Sequence, residues 1–352
     1  MNAPAGIAGV GLIVPSGTLL SSLRTLPQEA RREVRLVESV PAIPGMAAND
    51  MRRMSKLTRF SLFAASQAMA ASGRGSQGTG LFVGITHGST AHLLEFHDYL
   101  FDYGPDMASP NSFSNGVTNA PLSSVSSAFK LTDGGTTILG YENNGLAVLD
   151  YCAQAIAHSE YDACLAGSSE EYAAVVHDAY RACGWHGGEA PAYLPFPRDP
   201  GGNRGMGVSE GSAFFVLQTL SSFTNRKPLC RFTPVDLNRY KDGADVVVSG
   251  AGGGPQDRFE LASLKRLAES NPGKKPSLVF SKPLFGETFG LGSMLSALVA
   301  CDIVANGADY PSFPLHPQLA GLFAPRQDGP AQSALVVAAG RNGQMSAALF
   351  EK

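Results

Sequence analysis

No two of the five cysteines, at 152, 164, 183, 230 and 301, stand in a CxxC pair. Neither a zinc site nor a disulfide framework is therefore suggested. No apolar run reaches the roughly 18 residues of a membrane helix. The apolar start MNAPAGIAGVGLIVP lacks the basic n-region of a signal peptide and reads as a first strand. Charge of one sign is missing too: the net charge of −3 gives no reason to expect nucleic acid or an anionic membrane as partner. These absences lead to the expectation of a reduced, cytoplasmic protein. The glycines of 201–207 follow no strand and carry no GK[ST], which argues against a phosphate loop. His87, His92 and His97 recur every five residues, so they share no helix face and suggest no metal site.

What is present is a core. Hydrophobic residues make up 44% and charged residues 16% of 352, too apolar and too little charged for a disordered chain. Short apolar runs at Ile7–Val14 and Leu81–Ile85 predict buried strands. Leu57–Ala71 carries the wide apolar stripe of a buried helix. The Ser/Asn/Pro/Gly-rich stretch 103–125 reads as a long loop, a length usually kept for function or an interface. Further strands are predicted at 136–139, 163–168, 211–217, 229–235, 245–249, 277–280, 334–338 and 346–350. Helices are predicted at 145–158, 173–182, 258–269 and 291–304. Strand–helix alternation with buried strands argues for α/β architecture. A joint at 221–228 separates two βαβαβ-type halves, 1–222 and 223–352, of similar grammar but without a residue-level repeat.

The stretch Ile138–Ile156, ILGYENNGLAVLDYCAQAI, is a strand, a tight polar turn and a buried helix. A helix N-terminus can depress a thiol's pKa or hold an oxyanion, and many enzymes mount a nucleophile there. The same layout serves as a plain connection. Here the turn carries Glu142, Asn143 and Asn144, with neither Cys nor Ser.

Five blocks in order resemble the β-ketoacyl-acyl carrier protein synthases of the thiolase fold. They are Met51–Phe60 with the helix after it; Gly140–Tyr172; Phe196–Asp199 with Val208–Ser212; Ser281–Gly290 (SKPLFGETFG); and Ala338–Gln344 (AAGRNGQ). The resemblance implies an α/β thiolase-like fold, two similar halves in five αβαβα layers. It also implies a mechanism in which a Cys takes the acyl chain and two His promote decarboxylation of the malonyl unit. The family's Cys position falls on Glu142. One His position falls on Glu287. The other falls on Gly250 when aligned on Pro255; no His occurs between His186 and His316. The Phe of the oxyanion loop is Arg341. Lys282 is retained, and the resemblance implies a structural ion pair with Glu260. Glu142 is expected to cap the helix. Of Glu170 and Glu171, the resemblance implies that the family's Glu fixes the strand end.

With all three catalytic residues gone, the resemblance narrows to chain-length factors of type II polyketide systems, possible kin being the short subunits of aryl-polyene clusters. Such a subunit would pair with an active ketosynthase in a heterodimer, bound the acyl tunnel, meet acyl carrier protein through the complex and be poorly soluble or inactive alone. It would need no cofactor or metal. In the segment Ser109–Pro121, Phe113, Gly116, Val117 and Thr118 are candidate tunnel or interface residues; the other reading is a surface loop. Two other functions stay open: a thioester hydrolase or decarboxylase using Glu142 or Glu287 as base, and a stand-alone scaffold binding carrier protein.

Overall fold

The computed structural model describes residues 4–27, 33–185, 196, 207–271, 273–324 and 330–352. In the first part of the chain the strands are β1 (Ala5–Ile13), β2 (Val34–Arg35), β3 (Thr79–Ile85), β4 (Gly135–Leu139), β5 (Ala163–Glu170), β6 (Val208–Ser209) and β7 (Gly211–Thr219). The helices there are α1 (Ala48–Arg52), α2 (Lys56–Ser72), α3 (Thr90–Tyr103), α4 (Pro110–Gly116), α5 (Ala120–Phe129), α6 (Asn144–Ala157) and α7 (Ala174–Ala182). After residue 223 come β8 (Arg231–Pro234), β9 (Val246–Ser249), β10 (Ser277–Phe280), β11 (Ser333–Ala339) and β12 (Met345–Glu351). With them stand α8 (Asp257–Glu269), α9 (Lys282–Phe285) and α10 (Gly290–Asn306).

Ten strands form one sheet in the order β10-β9-β11-β12-β8-β1-β7-β5-β3-β4. Numbered within their own halves, the five strands on each side read 3-2-4-5-1 from the outer edge inward. In both halves the outer two pairings are parallel and the inner two antiparallel. Two copies of one topology thus meet where β1 pairs β8 antiparallel through Ala5↔Phe232 and Gly6↔Arg231. The small β2–β6 sheet is separate.

The layers follow from which helix face each half can bury. Serine hydroxyl of Ser55 caps α2 through Thr58 N–H, and α2 lays Leu57, Phe60 and Ala64 against the first half-sheet. On the far side of the second half-sheet, Leu264 and Leu267 of α8 pack with Val247 and Leu335. Between the half-sheets run α6 and α10, in contact with each other and with strands of both. Every residue of α10 from Gly290 to Val304 is buried, which explains a helix with no polar face. The result is the five-layered thiolase-like α/β fold that the sequence implied.

The approach of α6 to α10 depends on Gly145. A Cβ there would lie 2.4 Å from the backbone N of Met294, and backbone cannot step aside cheaply. Replacing Gly145 with Val should destabilise the chain by about 3 kcal/mol, the upper range for overpacking, read as a lowered urea midpoint at unchanged slope.

Most expected strands are found within about two residues of their sequence bounds. The stretch 103–125 is a correction: it holds α4 and most of α5, with Pro110 and Pro121 in the first turns, where a proline's missing N–H costs nothing. Helix α3 had no counterpart in the sequence reading. None of its residues is buried, so it shows no core-facing stripe. Glu170 does hold a strand end, the C-terminal end of β3, while Glu171 instead receives the start of α2. Glu170 accepts from the N–H groups of Thr86 and His87, and Glu171 from Leu57 N–H. The motif Phe196–Asp199 lies, apart from Phe196, outside the described residues, as do the glycines 201–202. Among the described residues no helix is long and apolar enough to cross a membrane.

Candidate functional site

At the end of β4 the chain turns through Gly140–Asn143 into α6. Asn144 secures the turn by donating to the carbonyls of Ile85 and Ile138 at 3.3 and 2.9 Å. Glu142 is 7% exposed. Its carboxylate does not cap α6, which corrects the sequence expectation. One oxygen accepts the backbone N–H of Arg341 at 2.9 Å, and the other lies 2.5 Å from the Arg341 guanidinium.

Arg341 leaves the turn between β11 and β12 and is enclosed by rings. Its Cζ lies 4.7 Å from the centroid of Tyr180, 5.2 Å from Trp185 and 5.5 Å from Tyr141, all within cation–π range. Burial opposes the guanidinium charge, but Glu142 and then Tyr180 push its pKa up on balance. Tyr180 has its own pKa raised, first by burial, and its phenol sits 3.1 Å from Nε2 of His87.

Glu287 is held by its backbone, which exchanges hydrogen bonds with 207–209: Ser209 N–H donates to its carbonyl and its own N–H donates to Gly207. Its side chain accepts from Phe289 N–H at 2.8 Å and pairs with Lys282 at 2.5 Å. This pair replaces the expected Lys282–Glu260 bridge. Glu260 instead accepts from Ser249 Oγ at 2.6 Å and Ala339 N–H at 3.1 Å. Burial, then the neighbouring Asp257, raises it to about 7. Lys282 is only 2% exposed; burial disfavours its charge, yet Glu287 and then Asp257 raise its pKa on balance. Its stem lies across Gly252, where a Cβ would come within 2.4 Å of Lys282 Cδ. Asp257, its pKa raised by burial, ties down that loop by accepting from Gly252, Gly253 and Phe196 N–H groups.

Between Phe289 and its neighbours the backbone is strained. Phe289 has φ +49°, rare for a bulky residue and characteristic of functional positions. Its ring packs edge-on to His87 at 4.4 Å and tilted on Tyr180 at 4.9 Å.

These groups enclose a cavity of about 10 Å³ lined by Glu142, Tyr180, Trp185, Gly254, Pro255, Gln256, Glu287 and Phe289. That is room for about one water molecule, far below a substrate pocket of roughly 300 Å³ or more. Of the three expected vacated positions, the fold brings Glu142 and Glu287 to this cavity. Gly250 is not among its lining residues; it lies beside Glu260, and Gly254–Gln256 face the space instead. Among the described residues, four buried carboxylates (Glu142, Asp257, Glu260, Glu287) accompany two cations, Lys282 and Arg341. Among the described residues no thiol or imidazole lines the cavity, so they offer no nucleophile for a thioester and no cation held ready for a malonyl carboxylate. No group of three metal-ligating side chains is found among the described residues. Tyr180, Trp185 and Phe289 were not singled out from sequence: nothing marks aromatic residues on different elements as neighbours.

The segment 109–121 divides. Gly116 is buried against the backbone of Leu93, Val117 is half-buried and Thr118 exposed. Phe113 is 53% exposed and touches Phe96 of α3, ring to ring at 5.3 Å.

Comparison with known proteins agrees with this fold. A polyketide beta-ketoacyl synthase described from Streptomyces halstedii is 24% identical over 360 residues, covering 84% of each chain. The solved ishigamide ketosynthase/chain length factor superposes with a TM-score of 0.80 at 14% identity, all of both chains covered. A beta-ketoacyl synthase from Burkholderia phymatum gives 0.76 at 16% identity over the whole of each chain. At such identities these structures speak for the fold. The family model for the beta-ketoacyl synthase N-terminal domain matches residues 23–222, more than half of the sequence, and the chain belongs to the beta-ketoacyl synthase family.

Proposed function

We propose that this chain is the non-catalytic, chain-length-factor-like half of a heterodimer with an active ketosynthase, shaping the tunnel in which the partner elongates an acyl chain. The observation that carries the reading is the filled site. The nucleophile position holds a carboxylate paired with Arg341, one imidazole position holds a carboxylate paired with Lys282, and the space between is water-sized. The named ketosynthase/chain length factor neighbour, and the structure described as AntDE:AntF, an acyl carrier protein in complex with its ketosynthase (TM-score 0.76, 16% identity), supply the precedent for partner and carrier.

The surface favours a partner. Strand β4 ends the ten-stranded sheet with all five residues exposed or half-buried, although parallel sheets are normally covered. Beside it Leu139 is 62% exposed, and on α3 and its neighbours Tyr99, Phe101, Tyr103, Met107 and Phe113 are exposed. Phe113, Gly116, Val117 and Thr118 belong to this face as tunnel or interface residues. Carrier protein would be met through the complex. The narrower assignment to an aryl-polyene-type system rests on the Ser109–Pro121 resemblance.

A hydrolase using Glu142 is less favoured, because both of its oxygens are engaged by Arg341. Co-expression with an active ketosynthase of the same cluster tests the reading. The expected result is a one-to-one complex that elongates from acyl and malonyl carrier protein and falls to background when the partner's Cys alone is removed. Condensation or thioester hydrolysis by this chain without a partner would sink it.

A further inference from the structure

Beside Arg341 lies a second, larger pocket. It measures about 360 Å³ and is lined by Thr86, His87, Leu139, Gly140, Tyr141, Tyr180 and Arg341. That is the size of a small-molecule site. Tyr180 lines both spaces. Arg341 lines the large one and reaches Glu142, which lines the small one. These two side chains are therefore the partition between an open pocket at the sheet edge and the vacated acyl site behind it.

A partition of this kind is fixed rather than gated. The Arg341 backbone N–H and its guanidinium both bind Glu142. Three rings surround the guanidinium, and Tyr180 is itself braced by His87 and Phe289. Moving Arg341 would leave Glu142 buried without its ion-pair partner, a strongly unfavourable state.

We propose that Arg341 is a locked plug. Held by Glu142 and its ring cage, it closes this chain's ancestral acyl site to the pocket at the end of β4, so that an acyl thioester entering from that side stops at Arg341. The inference rests on reading the site as a vacated acyl pocket, and it predicts that shortening residue 341 joins the two spaces into one cavity that accepts an acyl chain.

Trp185 is the only tryptophan of the chain, and it lies in the cage. Its emission reports on the surroundings of Arg341 and Tyr180. Octanoyl-pantetheine, a neutral acyl thioester, is titrated into the full chain and into a graded series in which Glu142→Gln removes the stranded charge while residue 341 becomes Met, Val or Ala. Wild type and the R341M form should respond only weakly, since ligand stopped in the outer pocket meets Tyr180 and residue 341 without entering the space behind them. The E142Q/R341A form should give a saturable change at an at least tenfold lower ligand concentration than any change in wild type, with R341V between. A saturable response of the wild type at the same ligand concentration as the E142Q/R341A form overturns the plug whatever the other variants do. So does the absence of a response in the smallest variant of the series that keeps native near-ultraviolet dichroism. Neither outcome depends on the partner, whereas failure to co-purify with a ketosynthase would count against the heterodimer and leave the plug standing.

Discussion

Lys282→Met lowers stability by about 3–5 kcal/mol, the loss expected when one member of a buried ion pair is removed. Methionine matches the lysine stem and keeps the packing across Gly252, so the effect isolates the charge. Glu287 sits 2.5 Å from the lost ammonium, with Asp257 also acting on it electrostatically. A second substitution, Glu287→Gln, should recover most of the loss, since it removes the carboxylate that Lys282 neutralised while keeping an oxygen for Phe289 N–H. The double-mutant cycle in urea measures the coupling. Additive losses would mean that Lys282 is held by packing and not by Glu287.

Acidification from pH 8 to pH 5 should stabilise the chain. Glu260 is raised to about 7 by burial and by Asp257, and Glu171 to about 7 by burial, with Glu210 adding to it. Their ordinary value is 4.5, so between 4.5 and about 7 the folded chain holds protons that the unfolded chain releases. A raised folded pKa contributes stability that is complete below the unfolded value and lost as pH rises through the folded one. Each carboxylate should contribute on the order of 3 kcal/mol across that window. Asp302 acts in the opposite sense. Burial disfavours its charge, but bonds from Arg24, Asn306 and Tyr310 lower its pKa on balance, so its contribution is lost only below the ordinary 3.8. Urea midpoints at pH 8 and 5 measure the slope, and Glu260→Gln should remove about half of it. A slope of the opposite sign would show both carboxylates ionised in the folded state.

The strands and the large buried helices could be read from the sequence because burial writes itself as apolar runs; Ser277–Phe280 was found to the residue. Helix α3 was missed for the converse reason. Its apolar residues Leu93, Leu94, Tyr99 and Phe101 face outward and form no stripe against a core. The loop reading of 103–125 gave weight to Ser and Asn over Pro110 and Pro121, each of which starts a helix. Motif order alone could assign Glu142, Glu287 and Arg341 to the family's catalytic and oxyanion positions. It could not give their pairings. Glu142 and Arg341 are 199 residues apart, and only the fold brings them together. Glu260 looked like the partner of Lys282 because that pairing was inherited by analogy, yet the carboxylate at 287 arrived nearer the ammonium.

The sheet order also has a consequence for how the chain is made. Strand β1 is made before every other strand of its sheet, but its neighbours are β7 and β8, which end at Thr219 and Pro234. At roughly 5–20 residues per second, β1 waits about 10–40 s with both edges open. During that time a nine-residue apolar strand is exposed to other nascent chains. A chaperone that covers β1 would protect that interval, in which the open strand edges invite pairing with other chains.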